Sequence, residues 1–198
     1  MVYYMQNKLT GQELYMLKRF EAENFKGFKD RLIFDLQARE YEFNKNLISN
    51  GIVNKGIIYG KNGIGKSNLG IALFDIVLHL TDKERLPVQY LSNYINLDSD
   101  KPYAEFKYTF IFGNDEVVYE YKKKEAYYLI EESLTINNSQ VLYYNYFDKK
   151  DNFVDKSLIG NLQIELLDNK LSIIKYIYRN TPTNQDSPLY KMMIFVEN

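Results

Sequence analysis

The sequence predicts an α/β fold. Three patterns indicate it: a glycine-rich loop between strand-like and helical segments, a long run of alternating apolar and polar residues, and two late segments with helical spacing. With 198 residues, 45% of them hydrophobic, the chain is long enough for one sizeable domain. We expect a poorly ordered leader at 1–16, a main lobe at 17–157 and, at 158–198, a helical segment that begins a region incomplete in this chain.

The glycine-rich loop runs Gly60-Lys61-Asn62-Gly63-Ile64-Gly65-Lys66-Ser67 and has the spacing G-x-x-x-x-G-K-[ST]. Its glycines allow a tight backbone path on which several N–H groups point at one anion. Lys66 would reach the β- and γ-phosphates as the catalytic cation, and the Ser67 hydroxyl would ligate Mg²⁺. The loop therefore predicts a bound nucleoside triphosphate.

The segments on either side of the loop are apolar. Gly56–Tyr59 has the composition of a short buried parallel strand. Leu69–Leu80 is apolar nearly all round, which predicts a buried helix. The lone His79 lies late in this helix, where we expect a structural or surface role because no partner for metal binding or catalysis stands beside it.

Alternation predicts the strands. Leu17–Phe25 and Leu32–Phe34 form an antiparallel pair around a turn at Gly27, and an antiparallel meander extends from Ala104 to Tyr144. Between them, Thr81–Lys101 is polar and irregular, as in a surface excursion.

The tyrosines of the meander suit strands with one wet face, on which each ring is buried and its hydroxyl reaches solvent. We expect this arrangement rather than an aromatic platform for single-stranded bases, which needs interleaved basic residues. Lys122–Lys124 is expected to be a solvated hairpin end rather than a DNA contact. Late helices are expected over Leu171–Tyr178 and Leu189–Val196, joined by a loop.

Two longer strings carry a family resemblance. Gly60-x-Asn62-Gly63-x-Gly65-Lys66-Ser67-Asn68 resembles the loop of ABC-type ATPases, in the branch of structural-maintenance-of-chromosomes, RecF-type and OLD-type proteins. Upstream, Glu23-Asn24-Phe25-Lys26-Gly27-Phe28 resembles the strand end that opens that branch. The resemblance extends over roughly residues 17–150. Within that branch, the chain looks most like the bacterial AAA/ABC-like ATPases that are associated with abortive infection and phage defence.

The resemblance implies a P-loop NTPase fold, specifically the N-terminal lobe of an ABC-type ATPase head with an antiparallel meander and short C-terminal helices. It implies ATP and Mg²⁺ as ligands, head-to-tail pairing in a homo-oligomer, and a toxin or nuclease effector as a possible partner. Hydrolysis would proceed by in-line attack of water. The implied nucleotide-binding residues are Lys26, Gly60, Asn62, Gly63, Gly65, Lys66, Ser67 and Asn68, with Ser67 on the metal.

Two elements that such ATPases need are missing. A Walker B strand has four apolar residues followed by Asp and then Glu. Ile71–Asp75 has four apolar residues and an Asp, but it lies on the helix that follows the loop, and the later Ile194–Glu197 lacks the Asp. No Gly-rich Ser signature follows the loop either. We therefore expect either the first part of a longer ATPase or a short nucleotide-binding protein, with negligible ATPase activity for this chain alone.

Other functions stay open. A DNA-dependent ATPase of the repair type is the first alternative and a small-molecule kinase the second, whereas a GTPase would carry an N-K-x-D motif that Asn44–Leu47 and Asn54–Ile57 lack. The net charge of −1 does not favour nucleic acid. The chain has no cysteine and no apolar stretch near the ~20 residues of a membrane span, so we expect a cytoplasmic protein without membrane contact.

Overall fold

A computed structural model describes residues 9–10, 13–39, 45–83, 87, 91–164, 167–182 and 184–198. Its framework is an eight-stranded antiparallel sheet in the order β1-β2-β6-β7-β8-β9-β10, with β3 paired to β2. A separate two-stranded ribbon consists of β4 and β5. The strands are β1 Leu9–Thr10, β2 Glu13–Glu23, β3 Leu32–Asp35, β4 Ile48–Ser49, β5 Ile52–Val53, β6 Ala104–Phe112, β7 Asp115–Glu125, β8 Tyr128–Ile136, β9 Ser139–Asn145 and β10 Phe153–Val154.

Helices cover one face of this sheet. They are α1 Lys66–Leu73, α2 Asp75–Leu80, α3 Lys156–Ile159, α4 Ile173–Asn180 and α5 Pro188–Glu197, with a 3-10 turn at Lys45–Leu47. Side chains cap the late helices, since Ser172 accepts from the Lys175 amide in α4 and Ser187 from the Tyr190 amide in α5. Both predicted late helices are confirmed, and they share one apolar core with α1, α2 and the sheet.

The predicted strands of the main lobe are largely confirmed. The meander consists of β6 to β9 in consecutive antiparallel pairing, and β3 pairs with β2 as expected. Strand β2 begins at Glu13, inside the range predicted as a leader, and Met16 is fully buried in it. Residues 1–8 and 11–12 of that leader lie outside the described residues.

Two predictions around the loop are wrong. Gly56–Tyr59 is neither a strand nor buried. The helix predicted through Leu80 is interrupted at Phe74, whose φ of −93° and ψ of 4° are not helical, and α2 starts at the next residue. Phe74 itself is exposed, so this helix is not covered all round.

The prediction of solvent-facing tyrosine hydroxyls is also wrong. Tyr108, Tyr119 and Tyr121 are buried under the helices, and their hydroxyls bond inside the protein. The reason is that the helix-covered face of the sheet holds buried acceptors that need these hydroxyls: the Tyr119 and Tyr121 hydroxyls donate to carboxylates, and the Tyr108 hydroxyl donates to the Ala72 carbonyl. Glu132 accepts hydrogen bonds from the Tyr119 hydroxyl at 2.5 Å and from the Tyr146 hydroxyl.

Lys123 corrects the prediction for the three-lysine run. It is 0% exposed and its ammonium lies 2.6 Å from Asp75 Oδ2, whereas Lys124 is exposed. The alternation of β7 continues through Val117, Tyr119 and Tyr121 and turns Lys123 to the same buried face. The hairpin end is therefore only partly solvated, and one lysine of the run belongs to the core.

His79 makes the stability of the fold depend on pH. Burial first, and then the positive charge of Lys123, lowers the pKa of His79 well below its usual 6.5. Its Nε2 lies 2.8 Å from the Tyr119 hydroxyl, which donates onward to Glu132. Because that hydroxyl donates to Glu132, it can accept a hydrogen bond from the ring of a neutral His79.

We expect the unfolding free energy to fall on acidification through pH 6.5, because unfolding then allows His79 to bind a proton that the folded state excludes. Between pH 7.5 and 5.5 the wild-type protein should lose about 1.4 kcal/mol more than a His79→Gln variant. Urea unfolding of both proteins at the two pH values measures this difference. Equal losses in the two proteins would contradict a neutral buried histidine.

Candidate phosphate-binding site

The glycine-rich loop precedes α1 directly and has the backbone that an anion site needs. Gly63 has φ of 85° and Gly65 of 96°, in the left-handed region that favours glycine. Gly65 is the N-terminal cap residue of α1, and no side chain of the described residues caps this first turn. The unpaired N–H groups and the positive end of the helix dipole therefore face the loop.

Lys66 bends back across this loop. Its ammonium donates to the carbonyl oxygens of Gly60 at 2.7 Å and of Lys61 at 2.6 Å. These two contacts hold the cation over the loop.

Most of the predicted site residues line one open recess. Asn62, Gly63, Gly65, Lys66, Ser67 and Asn68 all border it. Gly60 does not line the recess but accepts a hydrogen bond from the Lys66 ammonium. Ser67 is exposed in the first turn of α1, where its hydroxyl is accessible to a ligand.

Lys26 borders a second recess rather than the first. Gly27 and Asn68 line this second recess with it, and Asn68 borders both. The Lys26 ammonium donates to the Ser92 carbonyl at 2.8 Å. Partial burial lowers the pKa of Lys26, and the negative charge of Asp75 opposes this effect. The structure therefore places Lys26 beside the loop, adjoining Asn68, and not in the recess around Lys66.

The turn that carries Lys26 packs on the loop. A Cβ atom added to Gly65 would lie 3.3 Å from the Phe28 ring, and one added to Gly27 would lie 3.1 Å from Asn68 Nδ2. Gly27 therefore provides close approach, whereas the left-handed residues of this turn are Asn24 and Lys26, with φ of 56° and 48°. Phe28 and Asn24 are thus supporting residues, for which the sequence pattern predicted no role of their own. Asparagine's tolerance of left-handed backbone was the available signal.

Neither Walker B candidate supplies an acidic group to the loop. Asp75 is 1% exposed and bonds within the core, and Ile194–Glu197 lies in the helix α5 rather than in a strand. The Glu197 carboxylate pairs with Arg179 at 3.5 Å. The described part of the chain contains no group of three or more acidic or histidine side chains that could hold a metal ion.

The residues present nevertheless fit a nucleoside triphosphate with Mg²⁺. Two left-handed glycines, an uncapped helix start and a lysine bonded to main-chain oxygens form a cradle for a polyphosphate. For the metal, the loop offers the hydroxyl of Ser67, and further ligands would be phosphate oxygens and water, as is usual for Mg²⁺.

The segment that leads into the loop exposes apolar side chains. Ile57 is 76% and Tyr59 88% exposed, and Ile64 in the loop is exposed as well. Because these three side chains are exposed and close in sequence, they are candidates for contact with another polypeptide.

None of the helices in the described ranges is long and apolar enough to cross a membrane. Comparison with known proteins gave no family model that matches the chain and no curated protein that matches it.

Proposed function

We propose that this chain binds a nucleoside triphosphate, ATP with Mg²⁺, through the loop Gly60–Ser67. The observation that carries the proposal is the combined geometry of Gly63, Gly65 and Lys66 at an uncapped helix start. Each feature alone occurs in other turns, but together they place an uncapped helix start, which favours anions, and a cation on the same loop.

The residues divide the work as follows. Loop amides and the helix start bind the phosphates, and Lys66 exchanges its carbonyl partners for phosphate oxygens and neutralises their charge. Ser67 and phosphate oxygens would hold Mg²⁺, which supplies further charge neutralisation when bound. Asn62 lies at the γ-phosphate end of the recess in this proposal, and Asn68 and Lys26 extend the site toward the second recess.

Turnover needs an acidic group that this site does not receive from the described residues. We propose that a further polypeptide segment, of this protein or of a partner, packs on the exposed Ile57 and Tyr59 and brings that group. Such packing would remove the apolar surface from water and complete the site in one step.

The experiment is to measure binding and turnover on one sample of the purified chain. Equilibrium dialysis with labelled ATP and Mg²⁺ should show saturable binding, while phosphate release under single-turnover conditions should stay at the uncatalysed background. Hydrolysis at the rate of about 1 s⁻¹ or faster typical of enzymes would contradict this account. Absence of binding would contradict the proposal itself.

We further propose that ATP gates assembly, by head-to-tail pairing of two chains and with an effector in a bacterial anti-phage system. Light scattering of the wild type and a Lys66→Ala variant checks the pairing, and ATP should raise the molar mass of the wild type only. An unchanged molar mass in both proteins, or an equal change in both, would contradict ATP-dependent pairing.

Binding of DNA is the less favoured alternative because basic side chains on the open side of the sheet, such as Arg31 and Lys122, are paired with carboxylates. Arg31 contacts Glu23 at 2.9 Å and Glu105 at 3.0 Å, and Lys122 contacts Glu131 at 2.6 Å. A nucleic-acid surface needs unpaired positive charge.

A further inference from the structure

Asp75, the acidic residue of the Walker B-like sequence Ile71–Asp75, is the centre of a buried cluster. It opens α2 directly after the interruption at Phe74. Its Oδ1 accepts from the Tyr94 hydroxyl at 2.9 Å, and its Oδ2 from the Tyr121 hydroxyl at 2.9 Å and the Lys123 ammonium at 2.6 Å. Two of these donors belong to the sheet, whereas Tyr94 belongs to the connection between α2 and β6.

The connection around Tyr94 holds the turn that carries Lys26. The Lys26 amide donates to the Tyr94 carbonyl at 3.1 Å, and Asn96 Nδ2 donates to the Lys26 carbonyl at 2.6 Å. The Asn96 amide reaches the Asn24 carbonyl at 3.3 Å. We name residues 92–96 the clamp segment, because these bonds grip both main-chain groups of Lys26.

The grip matters because Lys26 has φ of 48°, a left-handed conformation that a lysine seldom adopts without support. The Tyr94 ring also packs edge-on against Phe25 with centroids 5.0 Å apart. Contacts therefore run from Asp75 through Tyr94 to Lys26, and from the neighbouring Gly27 to Asn68 at the phosphate-binding loop.

We propose that Asp75 is a positioning residue for the nucleotide: acting through Tyr94, it fixes the clamp segment and so holds Lys26 beside the phosphate-binding loop. This inference rests on the proposed nucleotide binding. Its physical basis is preorganisation, since a cation already fixed in place loses less conformational freedom when the polyphosphate binds. Asp75 itself would touch neither nucleotide nor metal.

A matched pair of variants tests the inference. Tyr94→Phe and Tyr121→Phe each remove one buried hydroxyl that lies 2.9 Å from Asp75, but only Tyr94 belongs to the clamp segment. We expect Tyr94→Phe to weaken Mg-ATP binding about three- to tenfold and Tyr121→Phe to change it less than twofold. Equal weakening by the two variants, or none by Tyr94→Phe, would overturn the inference.

Two further measurements separate positioning from a general loss of stability. In nucleotide-free protein, Tyr94→Phe should speed hydrogen exchange of the Lys26 amide, which bonds to the Tyr94 carbonyl, more than Tyr121→Phe does. In a Lys26→Met background, Tyr94→Phe should weaken Mg-ATP binding no further, because it acts through Lys26. Additive losses, or equal exchange in the two tyrosine variants, would refute the route through Lys26.

The outcomes also distinguish this inference from the proposed function. If the wild-type chain does not bind Mg-ATP, the proposed function fails, and a positioning role for nucleotide fails with it. If the wild type binds and the two tyrosine variants behave alike, nucleotide binding stands and only the role of Asp75 is refuted.

Discussion

Replacing Lys66 with alanine is expected to weaken Mg-ATP binding by about tenfold to a hundredfold, the effect of losing one charge-assisted contact. The wild-type ammonium already lies over the loop on the Gly60 and Lys61 carbonyls, so it reaches the phosphates by exchanging these two contacts for phosphate oxygens. Titration calorimetry on both proteins at one salt concentration measures the difference. The fold should be unaffected, because the Lys66 side chain bonds only to the loop among the described residues.

Lys61→Ala is the matched control. Lys61 belongs to the same loop and carries the same charge, but it is exposed and contributes its carbonyl rather than its ammonium to the contact with Lys66. Its loss should change affinity less than threefold, mainly through long-range charge. Similar losses in the two variants would mean that the loop attracts anions only by its total charge.

The second large effect concerns stability. Lys123→Met leaves the Asp75 carboxylate in the core without its cation, and we expect the free energy of unfolding to fall by about 3–5 kcal/mol. Burial lowers the pKa of Lys123, and the negative charges of Asp75 and Glu132 oppose this effect. Urea unfolding measures the change.

Adding Asp75→Asn to Lys123→Met should recover a large part of that loss, because the uncompensated charge is then removed. Lys107→Met is the surface control: Lys107 pairs with Glu120 at 2.9 Å with both side chains partly exposed, and its loss should cost below about 1 kcal/mol. A Lys123→Met variant as stable as the double variant would show that the buried pair carries no net penalty when broken.

The alternation of apolar residues was sufficient to predict β6 to β9, and helical spacing was sufficient to predict the late helices, because both patterns depend on neighbours close in sequence. The same alternation placed Lys123 inward, but a lysine run is ordinarily solvated, and its partner Asp75 lies 48 residues earlier. The burial of the tyrosine hydroxyls was not predicted for the same reason, because their partners are distant in sequence.

The candidate site shows the same difference between local and distant contacts. The loop spacing was enough to predict that one group of residues lies together, because their geometry is local, and these residues line one recess: Asn62, Gly63, Gly65, Lys66, Ser67 and Asn68. Gly56–Tyr59 was predicted to be a buried strand from composition, but burial needs neighbouring strands, and the described residues provide none there. Asp75 shows that a local pattern can also mislead. It follows four apolar residues, as in a Walker B strand, but it lies on a helix and its carboxylate is buried in the core.

The most direct test of nucleotide binding is amide NMR of the ¹⁵N-labelled chain titrated with Mg-ATP. We predict that the largest saturable shifts fall on the amides of Gly63, Gly65, Lys66 and Ser67, with smaller ones at Lys26, and that they share one dissociation constant. Saturable shifts confined to other surfaces, with these loop amides unmoved, would contradict the assignment of Gly60–Ser67 as the nucleotide site.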